Sequence, residues 1–214
     1  MCGRFTLTAS GDEVAEAFGL DEALSLEPRY NIAPSQPVIA VVAPDGRRLS
    51  EWLRWGFVSR NARGKPFINA RAESAGSRGL FASAFARRRC LLPADGFYEW
   101  QAVAGAPRKQ PHHIRLSGGG LFGLAGIFEP GADGPSTCAI LTTDPLDSLR
   151  TIHDRMPVII PPEAYATWLD PNADRARLLP LLTPFTHQPL EAVAVGLAVN
   201  NARTEGPVCI VPAP

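Results

Sequence analysis

The sequence predicts an α+β fold with a mainly antiparallel β-sheet core, and three observations lead there. Short runs of β-branched and apolar residues recur along the chain, broken by turns drawn from 19 Gly and 21 Pro. Strand and helix signals do not alternate in a βαβ period, which excludes a Rossmann-type parallel sheet. Helical spacing is confined to a few short flanking segments. At 214 residues, 45% hydrophobic and 20% charged, the chain can bury a core, and its composition excludes a disordered or fibrous protein. Without an internal repeat or a separating linker, a single domain over residues 1–214 is expected.

Each element has its own signal. Ser10-Gly-Asp-Glu13 has the form of a capping box, and Val14, Ala17 and Phe18 follow at helical spacing before Gly19. This predicts a helix over 11–18. Pro37–Ala43 reads as a strand that turns at Asp45-Gly46 into Leu49–Trp55. Further strands are expected at Cys90–Leu92, Phe97–Gln101, His113–Leu116, Leu121–Ile127, Ala139–Thr143, Val158–Ile160, Ala192–Val195 and Val208–Val211. Leu80, Phe81 and Phe85 favour a helix between Ser74 and Arg89, Pro161-Pro162-Glu163 opens another to Leu169, and Asp174–Leu182 reads as the last. Gly118-Gly119-Gly120 and Gly131–Gly134 read as hairpin loops. Neither precedes a helix, so neither cradles a phosphate.

Lysine plus arginine equals aspartate plus glutamate at 21 each, but the charge is uneven. Residues 1–28 hold one basic and six acidic side chains, 29–115 hold fifteen and five, and 116–214 hold five and ten. The central block contains Arg29, Arg54, Arg60, Arg63, Lys65, Arg71 and the run Arg87–Arg89, as a basic channel within an acidic remainder would. All basic residues but Lys65 and Lys109 are Arg, which suits bidentate phosphate contacts, although a GC-rich genome yields the same bias. No run of 18 apolar residues is present, so no membrane span is expected. No secretory signal segment opens the chain, and Cys2, Cys90, Cys138 and Cys209 form no C-x-x-C pair. An intracellular reducing compartment, here the bacterial cytoplasm, and no structural zinc are the expectations.

Cys2 carries the most specific chemistry. A small residue at position 2 permits removal of Met1, which leaves an α-amine beside a thiol. The amine condenses with an aldehyde to an imine, and the thiolate closes a five-membered thiazolidine on the same carbon. An α-amine titrates near about 7.7–8, so a neutral fraction exists at cellular pH. A cation such as Arg4 is expected to lower the thiol. On its own, though, Met-Cys also fits an N-terminal cysteine with no chemical role. Three other segments bear on it. Asn69 and Arg71 in Phe67-Ile-Asn-Ala-Arg-Ala-Glu-Ser74 are two apart, so on a strand they share a face. Glu99 lies between Tyr98 and Trp100, where desolvation raises a carboxyl into the acid–base range, although a paired strand carboxylate is the plainer reading. His153 and Arg155 stand two apart before a strand; a lone loop histidine is usually structural, as His187 and His112-His113 are taken to be.

Met1-Cys-Gly-Arg-Phe5, Arg29-Tyr-Asn-Ile-Ala-Pro34, Trp55-Gly56, Ile68-Asn-Ala-Arg-Ala-Glu73, Asp95-Gly-Phe-Tyr-Glu-Trp100, Lys109-Gln-Pro111 and Ile152-His-Asp-Arg-Met-Pro157 stand in the order of the SOS-response-associated peptidase family, which the chain resembles from residue 1 to about 165. Asn200-Asn-Ala-Arg203 resembles the family's late Asn-containing segment. The resemblance implies a barrel-like sheet with short flanking helices, covalent crosslinking to abasic sites in single-stranded DNA, and peptidase-type removal of Met1. It implies no cofactor, no metal, no membrane and no obligate protein partner; a monomer is expected. By position, Cys2 matches the crosslinking nucleophile, Asn69 its positioning asparagine, and Glu99 and His153 the acid–base pair. Arg4, Asn31, Pro34, Trp55, Arg71 and Arg155 match the DNA-binding positions. The chain departs from the pattern after Trp55-Gly56, where Phe57–Lys65 is basic and lacks the family's tryptophan, so electrostatic contacts are expected to stand in for stacking. Two rivals remain at this level. A glutamine amidotransferase also begins Met-Cys-Gly but leaves Asn69–Arg71 and His153–Arg155 without roles. A noncatalytic DNA-binding module would bind in a salt-sensitive way, unaffected by Cys2→Ala.

Overall fold

A computed structural model describes residues 2–22, 24–59, 65–77, 79–132 and 134–213. Ser10 caps helix α1 (Gly11–Phe18) with both halves of the predicted capping box, and Gly19 closes it in the left-handed region at φ 62°. Before α1 runs β1 (Phe5–Leu7), and after it β2 (Arg29–Ile32) and the hairpin of β3 (Pro37–Val42) and β4 (Leu49–Trp55). Then come β5 (Asn69–Arg71), α2 (Ala72–Ala75), α3 (Ala82–Arg87), β6 (Arg89–Ala94), β7 (Gly96–Gln101), β8 (Gln110–Leu116), β9 (Phe122–Glu129) and β10 (Thr137–Thr143). The chain finishes through β11 (Met156–Pro157), β12 (Ile159–Ile160), α4 (Tyr165–Leu169), α5 (Arg175–Leu178) and β13 (Leu190–Ala194).

The strands make two sheets. One is five-stranded and antiparallel in the order β13-β8-β7-β1-β2. In the other, β10-β4-β3-β6-β9 closes on itself because β9 also pairs β10, giving a five-strand barrel that leaves no open edge on those strands. A single hydrophobic cluster runs through both sheets, from Phe5 and Phe97 to Leu124 and Ile140, and Trp55 and Trp168 are its largest fully buried members. The α+β class with a barrel-like core is therefore observed. Strand β10 departs from simple antiparallel order. It runs parallel to β4 and β5, and all seven of its residues are buried.

Four local expectations are corrected. Gly118–Gly120 does not turn a hairpin, because β8 and β9 lie in different sheets and the glycines carry the crossover between them. The helix expected between Ser74 and Arg89 breaks into α2 and α3 around Gly76 and Gly79, whose φ of 134° no helix accommodates. Val158–Ile160 divides, with Met156–Pro157 pairing β10 and Ile159–Ile160 pairing β9. Val208–Val211 is no strand: Pro207–Cys209 forms a 3-10 turn, since Pro207 has no N–H to give a ladder and the Cys209 N–H bonds back to Gly206. Gly131 and Gly134 lie in the β9–β10 hairpin, as expected.

Part of the basic block is engaged by the fold itself. Arg89 is buried, and its guanidinium donates to the carbonyls of Phe85, Ala86, Trp168 and Asp170, holding the ends of α3 and α4 together. Arg88 pairs with Glu129, Arg47 with Asp21, and Arg48 caps Phe18. Arg54, Lys65 and Arg71 are exposed; Arg60 and Arg63 lie outside the described residues. Among the described residues no helix is long and apolar enough to cross a membrane.

Candidate active site

The seam between the two sheets brings together four distant segments. Phe5 faces Phe97 across β1 and β7, and the Tyr98 N–H bonds to the Arg4 carbonyl. Continuing that register lays the start of the chain alongside Glu99. From the other sheet, β10 carries β5 on its parallel side, with Ile140 opposite Asn69, and β11 on its antiparallel side. The turn before β11 holds His153. One buried strand thus delivers both Asn69 and His153 to the Cys2–Glu99 edge.

Direct contacts span the seam. Asn69 Nδ2 donates to the Cys2 carbonyl at 2.8 Å. His153 Nε2 stands 3.6 Å from Glu99 Oε2, and Gln101 Nε2 donates to the Thr151 carbonyl beneath them. Cys2 is fully buried, and its thiol donates a weak sulfur bond to the Arg4 carbonyl at 3.8 Å. Burial and the nearby Glu99 push the thiol well above its usual range. The expected lowering by Arg4 is therefore overturned: the guanidinium points elsewhere, donating to Asn31 Oδ1 at 2.8 Å and the Val199 carbonyl at 2.7 Å and lying over Trp100. A protonated thiol needs a base beside it.

Glu99 suits that task. Desolvation on β7 raises its carboxyl to about 7, so it gains and loses a proton near neutrality. Burial lowers the pKa of His153, which favours the neutral ring. Its Nδ1 has two competing neighbours, the Arg155 N–H at 3.0 Å and an Asp154 carboxylate oxygen at 2.8 Å. A backbone N–H fits an unprotonated nitrogen, whereas a carboxylate fits only N–H. The neutral ring with Nδ1 accepting from Arg155 leaves its proton on Nε2, toward Glu99.

The other predicted site residues divide. Arg71 is exposed on β5, opposite Thr142 of β10. Arg155 is committed to protein partners: its fork meets Glu73 at 2.7 and 2.9 Å, Asp144 at 3.1 Å, and the Thr142 carbonyl. Asn31 is buried and donates to the carbonyls of Asn201 and Thr204, while Trp100 Nε1 donates to Asn200. Together with Arg4 these residues hold the late Asn-containing segment against the site. Trp55 is fully buried, and its indole N–H donates to the Ile68 carbonyl, so it fixes the approach to Asn69 from behind and presents no face to solvent. Pro34, beside Ser35 at φ 70°, lines a groove of about 750 Å³ with Arg54, Lys65 and Pro66.

Sequence reading missed three participants. Glu73 and Asp144 anchor Arg155, and among the described residues neither the buried Thr142 hydroxyl nor Asn69 Oδ1 has a hydrogen-bond partner. Glu73 ends the Ile68–Glu73 motif, whereas nothing local distinguishes Thr142 or Asp144. Among the described residues no group of three His, Cys, Asp or Glu side chains is placed to hold a metal ion.

A buried cysteine at position 2, a carboxylate poised near neutrality, a histidine and an asparagine meeting at the seam of a small barrel define a thiol-centred site. The family model described as SOS response associated peptidase (SRAP) matches residues 1–202, and the chain belongs to that family. It is 37% identical to the abasic site processing protein YoqW of Bacillus subtilis (strain 168), over 98% of this chain and 99% of that one. It is 31% identical to the abasic site processing protein YedK of Escherichia coli (strain K12), over 79% of each chain. A solved structure from Bacteroides thetaiotaomicron superposes with a TM-score of 0.86 at 22% identity, covering 99% of this chain and 100% of that one, a likeness of fold.

Proposed function

We propose that this protein processes abasic sites in single-stranded DNA by forming a covalent thiazolidine between Cys2 and the lesion. The observation that carries the reading is the convergence of Cys2, Asn69, Glu99 and His153 at one seam. Relatives named abasic site processing proteins support the substrate class.

The chemistry follows from the groups present. Hydrolysis of the Met1–Cys2 bond, for which the same residues serve, frees the α-amine. His153 Nε2–H protonates the ring oxygen O4′ as the C1′–O4′ bond breaks and the C1′ hydroxyl gives up its proton to solvent, which opens the closed deoxyribose to its C1′ aldehyde. The amine attacks C1′, and loss of one water gives the imine. Glu99 takes the thiol proton, Sγ adds to C1′, and the nitrogen takes up a proton as the ring closes. Aldehyde plus aminothiol thus gives thiazolidine plus water, with no oxidant or reductant. Asn69 holds the Cys2 carbonyl through these steps. Arg71 grips a phosphate beside the lesion.

The test is incubation of protein with a mass-confirmed Cys2 N-terminus and single-stranded DNA bearing one abasic site. A band surviving denaturing electrophoresis is expected, and both Cys2→Ala and any extension ahead of Cys2 should abolish it. Absence of that band from the wild-type protein would sink the reading. Release of ammonia from glutamine would instead favour the amidotransferase class.

A further inference from the structure

We infer that Glu73 is a positioning residue for His153, acting through Arg155; in its catalytic consequence this rests on the proposed crosslinking reaction. Arg155 has four terminal N–H groups, and all four are used by Glu73, Asp144 and the Thr142 carbonyl. Among the described residues, the remaining Nε is buried without a partner. Such a guanidinium has no donor to offer a phosphate unless the fork breaks. Its role in this arrangement is mechanical: the Glu73 carboxylate, carried by the segment that follows β5, ties down the turn before β11.

What the fork fixes is a backbone amide. The Arg155 N–H points at His153 Nδ1, and Asp154, 87% exposed at its side chain, competes for the same nitrogen. With the fork closed, Nδ1 accepts from Arg155 and the ring's proton sits on Nε2 toward Glu99. With the fork open, the amide drifts and Asp154 draws the proton to Nδ1, leaving Nε2 unprotonated and unable to donate. Among the described residues, Glu99, Asp154 and Lys109 are the charged side chains acting on this ring, and Arg155 reaches it through its backbone N–H. Asn69 and Glu73 share one short segment, so the same anchor sets the spacing between the Cys2 clamp and the acid–base pair.

The experiment has two arms. In the free protein, ring-nitrogen NMR of the four histidines should place the His153 proton on Nε2. Glu73→Gln, nearly isosteric, and Arg155→Lys, which keeps the charge but loses the fork, should both shift His153 toward Nδ1–H. His112, His113 and His187 should stay where they are, which reports an intact fold; if Glu73→Gln moves all four, Arg155→Lys decides. Asp144→Asn, which keeps an acceptor oxygen and removes only the charge of a largely exposed partner, should change little. In single-turnover crosslinking, Glu73→Gln should lower the limiting rate about ten- to a hundredfold, with the half-saturating DNA concentration unchanged. Unaltered His153 signals in both fork variants would overturn the inference, as would tighter DNA binding by Glu73→Gln, the mark of a carboxylate that competes with phosphate. A wild-type protein that forms no crosslink removes the proposed function, while the NMR arm still decides the positioning role.

Discussion

Strand β7 and the turn before it place two carboxylates against the same β1 neighbour, and their surroundings differ completely. At one end Asp95 receives the Thr6 and Thr8 hydroxyls and the Thr8 and Ala9 amides. The network continues through Thr6 to His113, which is packed so close to Gly96 that a Cβ there would meet Nε2 at 2.0 Å. At the other end Glu99 is buried beside a thiol and a neutral histidine, and its carboxyl rises to about 7. Four donors make Asp95 a structural joint. Desolvation leaves Glu99 able to gain and lose a proton near neutrality.

The comparison breaks most visibly at Glu99. Replacing it by Gln should slow crosslinking by at least about a hundredfold, the scale of a lost general acid–base group. The same change should stabilise the fold, with a defined pH dependence. Glu99 titrates near 4.5 in the unfolded chain and near 7 in the folded one. Below about 4.5 both states hold the proton, and burial costs nothing through this group. Between those values the unfolded chain ionises first and wild-type stability falls; above 7 the loss is complete, up to about 3 kcal/mol. Urea unfolding should therefore show Glu99→Gln ahead of wild type at pH 8 and level with it at pH 4.

Asp95→Ala should do the opposite. It strands four donors and releases the lead-in to α1, at a cost of about 2–4 kcal/mol in chemical denaturation, with crosslinking by the folded fraction largely retained. A crosslinking loss as deep as that of Glu99→Gln would show that the two ends are not separable.

The smallest effect belongs to Arg71, exposed on β5 beyond the Cys2–Glu99 edge. Arg71→Ala should reduce the log–log salt slope of single-stranded DNA binding by about 1 and weaken all sequences alike. An unchanged slope would place the phosphate contact elsewhere, the Arg54–Lys65 groove being the alternative.

Much of this was legible locally. The Ser10–Glu13 capping box is a four-residue device with local geometry, and the β3–β4 hairpin follows from β-branched runs flanking Asp45-Gly46. The segments carrying Cys2, Asn69, Glu99 and His153 were legible as motifs. The role of each basic residue was not. Arg89 and Arg71 look alike in a charge count, yet one ties two helix ends inside the core and the other meets solvent.

The even balance of 21 basic and 21 acidic residues shows why. By itself the sequence determined the fold class, the capped helix α1, the β3–β4 hairpin and the aminothiol chemistry latent in Cys2, because propensity, capping and covalent reactivity act over a few residues. Only the tertiary structure decided that β10 runs parallel to β5, that Arg155 is held by Glu73 and Asp144, and that burial raises the Cys2 thiol where Arg4 was expected to lower it. Those outcomes depend on desolvation and on partners tens of residues away, and both exist only once the two sheets meet.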